Sequence, residues 1–158
     1  MSLLPLYEWC DNVGIGQAIR ISDWPFPVIE GFHLLGLCVI GGAILVVDMR
    51  LLGLGLRRQP IAELAGDTRP FLLGSLAVML VTGLLLFSSE AVKCYYSFAF
   101  WFKMTSLTLA IIFTFTVRQR VTLMDDAGIS PNKARIVALV SLVLWSGVGW
   151  GGRWIGFS

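Results

Sequence analysis

Four long apolar runs, separated by short polar connections, account for most of the chain. They cover about 26–48, 70–89, 98–118 and 135–157. Each run approaches the ~20 residues that a helix needs to cross a bilayer. Short connections make consecutive helices antiparallel neighbours. The pattern therefore predicts an all-α membrane protein, a four-transmembrane up-down-up-down helical bundle that forms one domain over residues 1–158.

The segment before the first apolar run has a different pattern. Residues at about 3–20 mix apolar and charged side chains and are too polar to span a bilayer. Leu4, Tyr7, Trp9 and Ile15 can lie on the outer leaflet while acidic neighbours face water, as in an interfacial helix. We therefore predict an N-terminal interfacial helix.

Composition supports membrane insertion and argues against a nucleic-acid partner. The 158 residues are 56% hydrophobic and 14% charged, and the mean hydropathy is +0.79, well outside the range of soluble domains. The formal net charge of +2 is too small to indicate nucleic-acid binding. The lipid bilayer is the partner that the composition predicts.

Lysine and arginine are distributed unevenly between the two ends of the predicted bundle. The first and third connections are rich in basic residues: Arg50, Arg57, Arg58, Arg69, Arg118, Arg120, Lys133 and Arg135. By the positive-inside rule these connections are cytoplasmic. We therefore expect a multi-pass protein of a bacterial inner membrane with both termini periplasmic. Cys10 and Cys94 then share the oxidising side, where a disulfide between them is permitted.

The first apolar run carries polar residues on one helix face. Glu30 and His33 are one turn apart, and Asp48 follows Glu30 by 18 residues, or five turns. Polar groups at membrane depth are costly, and they more often mark function than decoration. Asp48 and Arg50 are interpreted as an ion pair or cap at the inner end of the helix.

The predicted topology brings further polar side chains to the outer half of the bundle. We infer an outward-facing intramembrane pocket with these candidate residues: Glu30, His33, Glu90, Lys103, Met104 and Arg153. Lys103 can extend to the outer head groups, or it can neutralise Glu30 or Glu90 across the bundle.

Two cofactors suit this pocket. Glu30 and His33 have the E-x-x-H spacing of metal sites in helical bundles, and Glu90 would extend the ligand set for a transition metal such as copper. In a haem b site, His33 and Met104 would be axial ligands, while Lys103 and Arg153 would pair with the propionates. Ligation by two histidines would need a dimer, because the chain has one histidine.

Other interpretations of the same residues remain open. Glu30 and His33 can form a hydrogen-bonded pair that only fixes helix packing and binds no cofactor. A proton or quinone role is also compatible with them. Gly147 and Gly151 allow close helix approach, either in this chain or between subunits, and we predict a homo-oligomer.

Three sequence segments carry a resemblance. The run EGFHLLGLCVIGGAILVVDMRLLGL, with FWFKM and GGRWIGF, resembles an uncharacterised group of small bacterial four-helix membrane proteins. The spacing of His33, Gly36 and Gly41 is more distantly similar to copper-resistance D membrane domains and cytochrome b561-like bundles. These families imply copper handling or haem-mediated electron transfer, although b561-type proteins carry several ligand histidines.

We therefore predict a small membrane protein that binds haem or a transition metal in a redox-associated role, with a redox partner in the membrane or periplasm. The alternative is a non-catalytic accessory or structural subunit of a membrane complex or homo-oligomer. No catalytic residue is assigned, and enzymatic activity stays open.

Overall fold

The chain is a bundle of four apolar helices. The computed structural model describes residues 3–55, 58–124, 128 and 130–156, and within these ranges it contains helices and no strand. Four of the described helices are long and apolar enough to cross a membrane. The predicted fold class is confirmed, and the chain is a multi-pass membrane protein.

The four long helices alternate with shorter ones. The first two long helices are α3 (Pro25–Leu52) and α4 (Ile61–Ser89). The third, Phe98–Thr122, consists of α6 (Phe98–Phe113), a π-helical turn (Thr114–Arg118) and α7 (Gln119–Thr122). The fourth is α8 (Pro131–Ile155). The shorter helices are α1 (Leu4–Asp11), α2 (Gly14–Ile21) and α5 (Ala91–Tyr96). We call the end with α1, α2 and α5 the outer end.

Helix α4 starts earlier than the apolar run at about 70–89 predicts. It begins at Ile61 and continues through Pro70 without a break in the assigned helix. Ile61 and Leu64 are buried in the apolar core of the inner end. This burial explains why the segment before Pro70 stays helical, although proline removes one hydrogen bond from the ladder.

The N-terminal segment forms two short helices instead of one. Arg20 holds them together through an ion pair with Asp11 at 2.8 Å, and it also donates to the backbone carbonyl of Ser89 at 2.8 Å. Gly16 touches the backbone of Ser88 so closely that a side chain there would collide with it. The Tyr7 ring packs edge-on against Phe87. Helices α1 and α2 thus form a helical hairpin that packs against α4.

An exposed apolar side remains on the same hairpin. Its large members are Leu3, Leu6, Trp9, Ile15 and Ile21. This is the amphipathic character that an interfacial segment needs, with one side against protein and another available to lipid.

The long helices pack in the order α4, α3, α8, α6. Helix α3 contacts both α4 and α8, and α6 packs along α8. Two apolar cores fill the space between them. The central core is built from Ile40, Ala43, Ile44, Leu72, Met79, Ala110, Trp145 and Val148. The inner core is built from Val47, Leu51, Ile61, Leu64, Val121, Ala134, Val137 and Ala138.

A buried ion pair lies beside these cores. Arg118 Nε donates to Asp48 Oδ1 at 2.9 Å, and the two side chains are 6% and 0% exposed. Arg118 also donates to the Ile44 carbonyl at 3.3 Å. The interpretation of Asp48 as a partner of Arg50 is therefore wrong, because the carboxylate turns into the bundle while Arg50 donates to the Gln59 carbonyl at 2.9 Å.

Ser141 of α8 lies beside the same carboxylate. Asp48 Oδ2 and Ser141 Oγ are both buried, and neither meets hydrogen-bond geometry with another described atom. The hydroxyl is a donor and the carboxylate oxygen an acceptor, so the two neighbouring groups are chemically complementary. Polar side chains of three membrane segments thus lie together at this point.

The glycine pair on α8 is used inside the chain. Gly147 faces Ser106 and Phe102, and Gly151 faces Lys103 and Phe102, with contacts close enough that methyl groups would crowd α6. These glycines permit the close packing of α6 on α8. They give no support to a homo-oligomer, which stays a prediction.

Replacing Asp48 with asparagine should strongly destabilise the bundle. The variant leaves the Arg118 charge buried without its counterion, which costs about 3–5 kcal/mol in comparable buried pairs. Unfolding in mixed micelles with increasing SDS, followed by circular dichroism, measures the effect. Arg120→Gln, at an exposed position on the same helical segment, is the control. Equal midpoints for the two variants would show that the ion pair does not stabilise the fold.

Candidate functional site: a cavity around His33 and Lys103

The outer half of the bundle contains a cavity of about 510 Å³. Residues from all four long helices line it, and α5 contributes to its edge. The volume lies within the ~300–1,000 Å³ typical of small-molecule sites. Most of the lining is apolar, and the polar groups are few, as in such sites.

His33 is held in one orientation by Thr82. The Thr82 hydroxyl donates to the Val78 carbonyl at 2.6 Å, so its oxygen is free to accept a second hydrogen bond. His33 Nδ1 lies 2.9 Å from that oxygen and is therefore the protonated nitrogen of the neutral ring. Consequently Nε2 carries the lone pair.

The His33 lone pair meets the side chain of Lys103. The distance from Lys103 Nζ to His33 Nε2 is 3.4 Å, and the ammonium is the donor. Lys103 extends from α6 into the cavity wall and is partly buried. Among the described residues no aspartate or glutamate forms an ion pair with it. From the sequence, Glu30 or Glu90 was a possible partner of Lys103, but in the structure the Lys103 ammonium contacts His33 instead.

Glycines create the space around this pair. A methyl group on Gly83 would lie 3.3 Å from His33 Cε1, and one on Gly152 would lie 3.4 Å from Lys103 Nζ. Gly149 also lines the cavity, and a methyl group there would meet nothing within 4 Å. The cavity therefore owes its volume to missing side chains on α4 and α8.

The structure brings together five of the six predicted pocket residues. The predicted residues that line the cavity are Glu30, His33, Glu90, Lys103 and Arg153. Met104 does not line it, and 39% of this residue is exposed on the outside of the bundle. The carboxylate of Glu90 lies 3.8 Å from Lys93 at the edge.

This placement bears on the two predicted cofactors. Within the described ranges no group of three or more histidine, cysteine, aspartate or glutamate side chains is placed to hold a metal ion. Glu30, His33 and Glu90 thus share a cavity without forming a ready ligand set. For haem, His33 can supply one ligand, whereas Met104 lies on the wrong side of α6 to supply the other.

Sequence reasoning missed Thr82 and the cavity glycines. A hydroxyl in the middle of an apolar run was a usable signal, because a polar side chain at membrane depth needs a partner. The glycines of α8 were noticed for helix packing only. Which of them face α6 and which face open space depends on the rotation of α8, and the sequence does not specify it.

Cys94 lies at the edge of the cavity as a free thiol, and Cys10 and Cys38 are free as well. The permitted Cys10–Cys94 disulfide is not formed. Burial, with a smaller contribution from the Glu90 carboxylate, raises the pKa of the Cys94 thiol to about 11, although Lys103 and Lys93 act in the opposite direction. The thiol is protonated and unreactive at neutral pH.

The chain matches one family model. That model, described as a family of unknown function (DUF6644), covers residues 7–158. The chain belongs to this family. No curated protein and no solved structure matches the chain.

Alkylation of Cys94 should show the raised pKa directly. In a chain with Cys10→Ser and Cys38→Ser, we expect the iodoacetamide reaction rate to rise about tenfold per pH unit from pH 7 to 10, because thiolate is the nucleophile. In SDS, where the thiol is exposed, the alkylation rate should stop rising above the ordinary thiol pKa of about 8.5. A plateau near pH 9 in the folded protein would contradict the burial of Cys94.

Proposed function

We propose that this membrane protein binds an amphipathic small molecule in the outer cavity, in a redox-associated role. The observation that carries the proposal is the Lys103 ammonium, which faces the cavity beside His33 Nε2 at 3.4 Å. No carboxylate of the described residues neutralises it. A cation kept at membrane depth without a counterion is expensive and is a mark of function.

The cavity chemistry supports a ligand with two unlike ends. Lys103 and His33 provide a donor and an acceptor next to each other. Apolar residues form much of the remaining wall: Phe26, Leu34, Leu37, Met79, Leu86, Phe100 and Val148. A few converging polar groups in an apolar cleft are the usual features of a small-molecule site.

Haem b is the ligand of this type that the sequence predicted. His33 Nε2 would hold it once Lys103 turns away, and Lys103 and Arg153, which both line the cavity, would pair with the propionates. When bound, haem would supply one-electron chemistry. A second axial ligand would have to come from a group other than Met104. A bare transition-metal ion such as copper has less support, because the carboxylates are not gathered around His33.

We also propose that the cavity opens to the periplasmic side of a bacterial inner membrane. The basic residues of the first and third connections support this orientation through the positive-inside rule. A ligand or redox partner would then reach the cavity from the periplasm or the outer leaflet.

Filling the cavity should remove the ligand while leaving the bundle intact. Gly149 lines the cavity, and a Cβ added there meets nothing within 4 Å, so Gly149→Leu adds bulk to the ligand space. Gly74→Leu is the matched control, because that glycine is also open but lies exposed on α4. Both proteins are purified in mild detergent from their own membranes. They are then compared by native mass spectrometry, by metal analysis, and by oxidised and dithionite-reduced absorption spectra.

We expect a small molecule at about one per chain in the wild type and in Gly74→Leu, and its loss in Gly149→Leu. If the ligand is haem, a Soret band will be present and will disappear in His33→Ala. A wild-type protein without any bound molecule would overturn the proposal and favour the accessory-subunit alternative.

A further inference from the structure

We propose that the cavity ligand is an amphiphile with an anionic head group, a carboxylate or a phosphate, and that Lys103 is the residue that binds it. This inference rests on the proposed function and narrows it from a class of site to a class of ligand. His33 acts as the partner that holds Lys103 in place until the ligand arrives.

The charges around the cavity favour an anion. Three cationic side chains line it, Lys93, Lys103 and Arg153, and so do the carboxylates of Glu30 and Glu90. Glu90 lies near Lys93 at 3.8 Å, at the exposed edge. Glu30 is exposed and forms no ion pair with Lys103 among the described residues. Lys93 and Arg153 are exposed, whereas Lys103 is partly buried and has no carboxylate partner among the described residues.

The contact that Lys103 makes now is a weak one. An ammonium has three donors, and the 3.4 Å separation from a neutral imidazole nitrogen is long for a hydrogen bond. A carboxylate or phosphate oxygen would form a charge-assisted bond of about 2.7–2.9 Å, roughly twice as strong as a neutral one. When an anionic head group enters the cavity, the Lys103 ammonium should therefore bind it and break its contact with His33.

The position of Lys103 also selects against a free inorganic anion. Apolar side chains such as Leu34, Leu37 and Leu86 line the same cavity as Lys103. A small hydrated ion would lose its water there and gain one cation in return. An amphiphile gains the burial of its apolar part as well.

Binding of the head group would free His33 Nε2. Thr82 keeps the proton on Nδ1, so the released nitrogen remains an acceptor that faces the cavity. It can then receive a hydrogen bond from a hydroxyl on the ligand. The same motion thus links anion binding to the availability of His33.

The test measures charge selectivity in the complete chain. The purified protein, stripped of bound lipid in detergent, is titrated by native mass spectrometry with stearate, its uncharged analogue methyl stearate, and phosphatidylglycerol. The variants are Lys103→Gln, Lys103→Arg and Gly149→Leu. Lys133→Gln, an exposed lysine at the start of α8, controls for loss of any positive charge.

We expect stearate or phosphatidylglycerol to bind at least tenfold more tightly than methyl stearate. Tight stearate binding would identify a free carboxylate as the head group, and tight phosphatidylglycerol binding would identify a lipid phosphate. Lys103→Gln should abolish the preference, whereas Lys103→Arg and Lys133→Gln should retain it. Gly149→Leu should weaken binding of all three probes.

Two different failures can be told apart. If methyl stearate binds as tightly as the charged probes and Gly149→Leu still blocks it, the cavity binds ligands but the anionic head group is wrong. Retention of the preference in Lys103→Gln would likewise overturn the role of Lys103. If no probe is sensitive to Gly149→Leu, the proposed function itself fails.

Discussion

The ion pair between Asp48 and Arg118 closes the inner half of the bundle. It joins α3 to the third membrane segment over 70 positions of sequence, and Ser141 of α8 lies beside the Asp48 carboxylate. A buried charge without its partner would cost several kcal/mol, so the two helices have one favourable register. Arg118 is the last residue of a π-helical turn, a local widening that is often found at functional or strained positions. The apolar inner core lies beside this ion pair, which fixes the relative position of the two helices.

The outer half has the opposite character. There the helices enclose a cavity of about 510 Å³, and one of the charged residues that line it, Lys103, contacts a neutral histidine instead of a carboxylate. Arg118 and Lys103 differ in the partners that surround their charges. Arg118 has a full counterion and a backbone acceptor, which is what a structural role requires. Lys103 has one long contact and open space beside it, which suits a ligand that brings its own negative charge. The docked hairpin of α1 and α2 covers a neighbouring part of the outer end without lining the cavity.

The sequence predicts the fold well because long apolar runs with short connections leave few alternatives in a bilayer. It also placed Glu30, His33, Glu90, Lys103 and Arg153 in one outer pocket, since their depths along antiparallel helices are nearly equal. It could not choose partners within that pocket. Lys103 contacts His33, and Asp48 pairs with Arg118 instead of nearby Arg50. The rotation of each helix about its axis decides which side chains meet, and the sequence does not specify that rotation. Met104 follows Lys103 directly yet lies on another face, 100° around the helix. The roles of Thr82, which orients His33, and of Gly149, which leaves space in the cavity, depend on neighbours from other helices.

The most direct test of the account is an experimental structure of the protein, purified from its own membranes in lipid nanodiscs, at a resolution that shows small molecules. We expect density for an amphipathic molecule in the outer cavity, with its head group in contact with Lys103 Nζ and near His33 Nε2. A cavity filled by the protein's own side chains, with Lys103 paired to Glu30 or Glu90, would contradict it. Such an arrangement would identify the polar residues of the outer half as packing contacts.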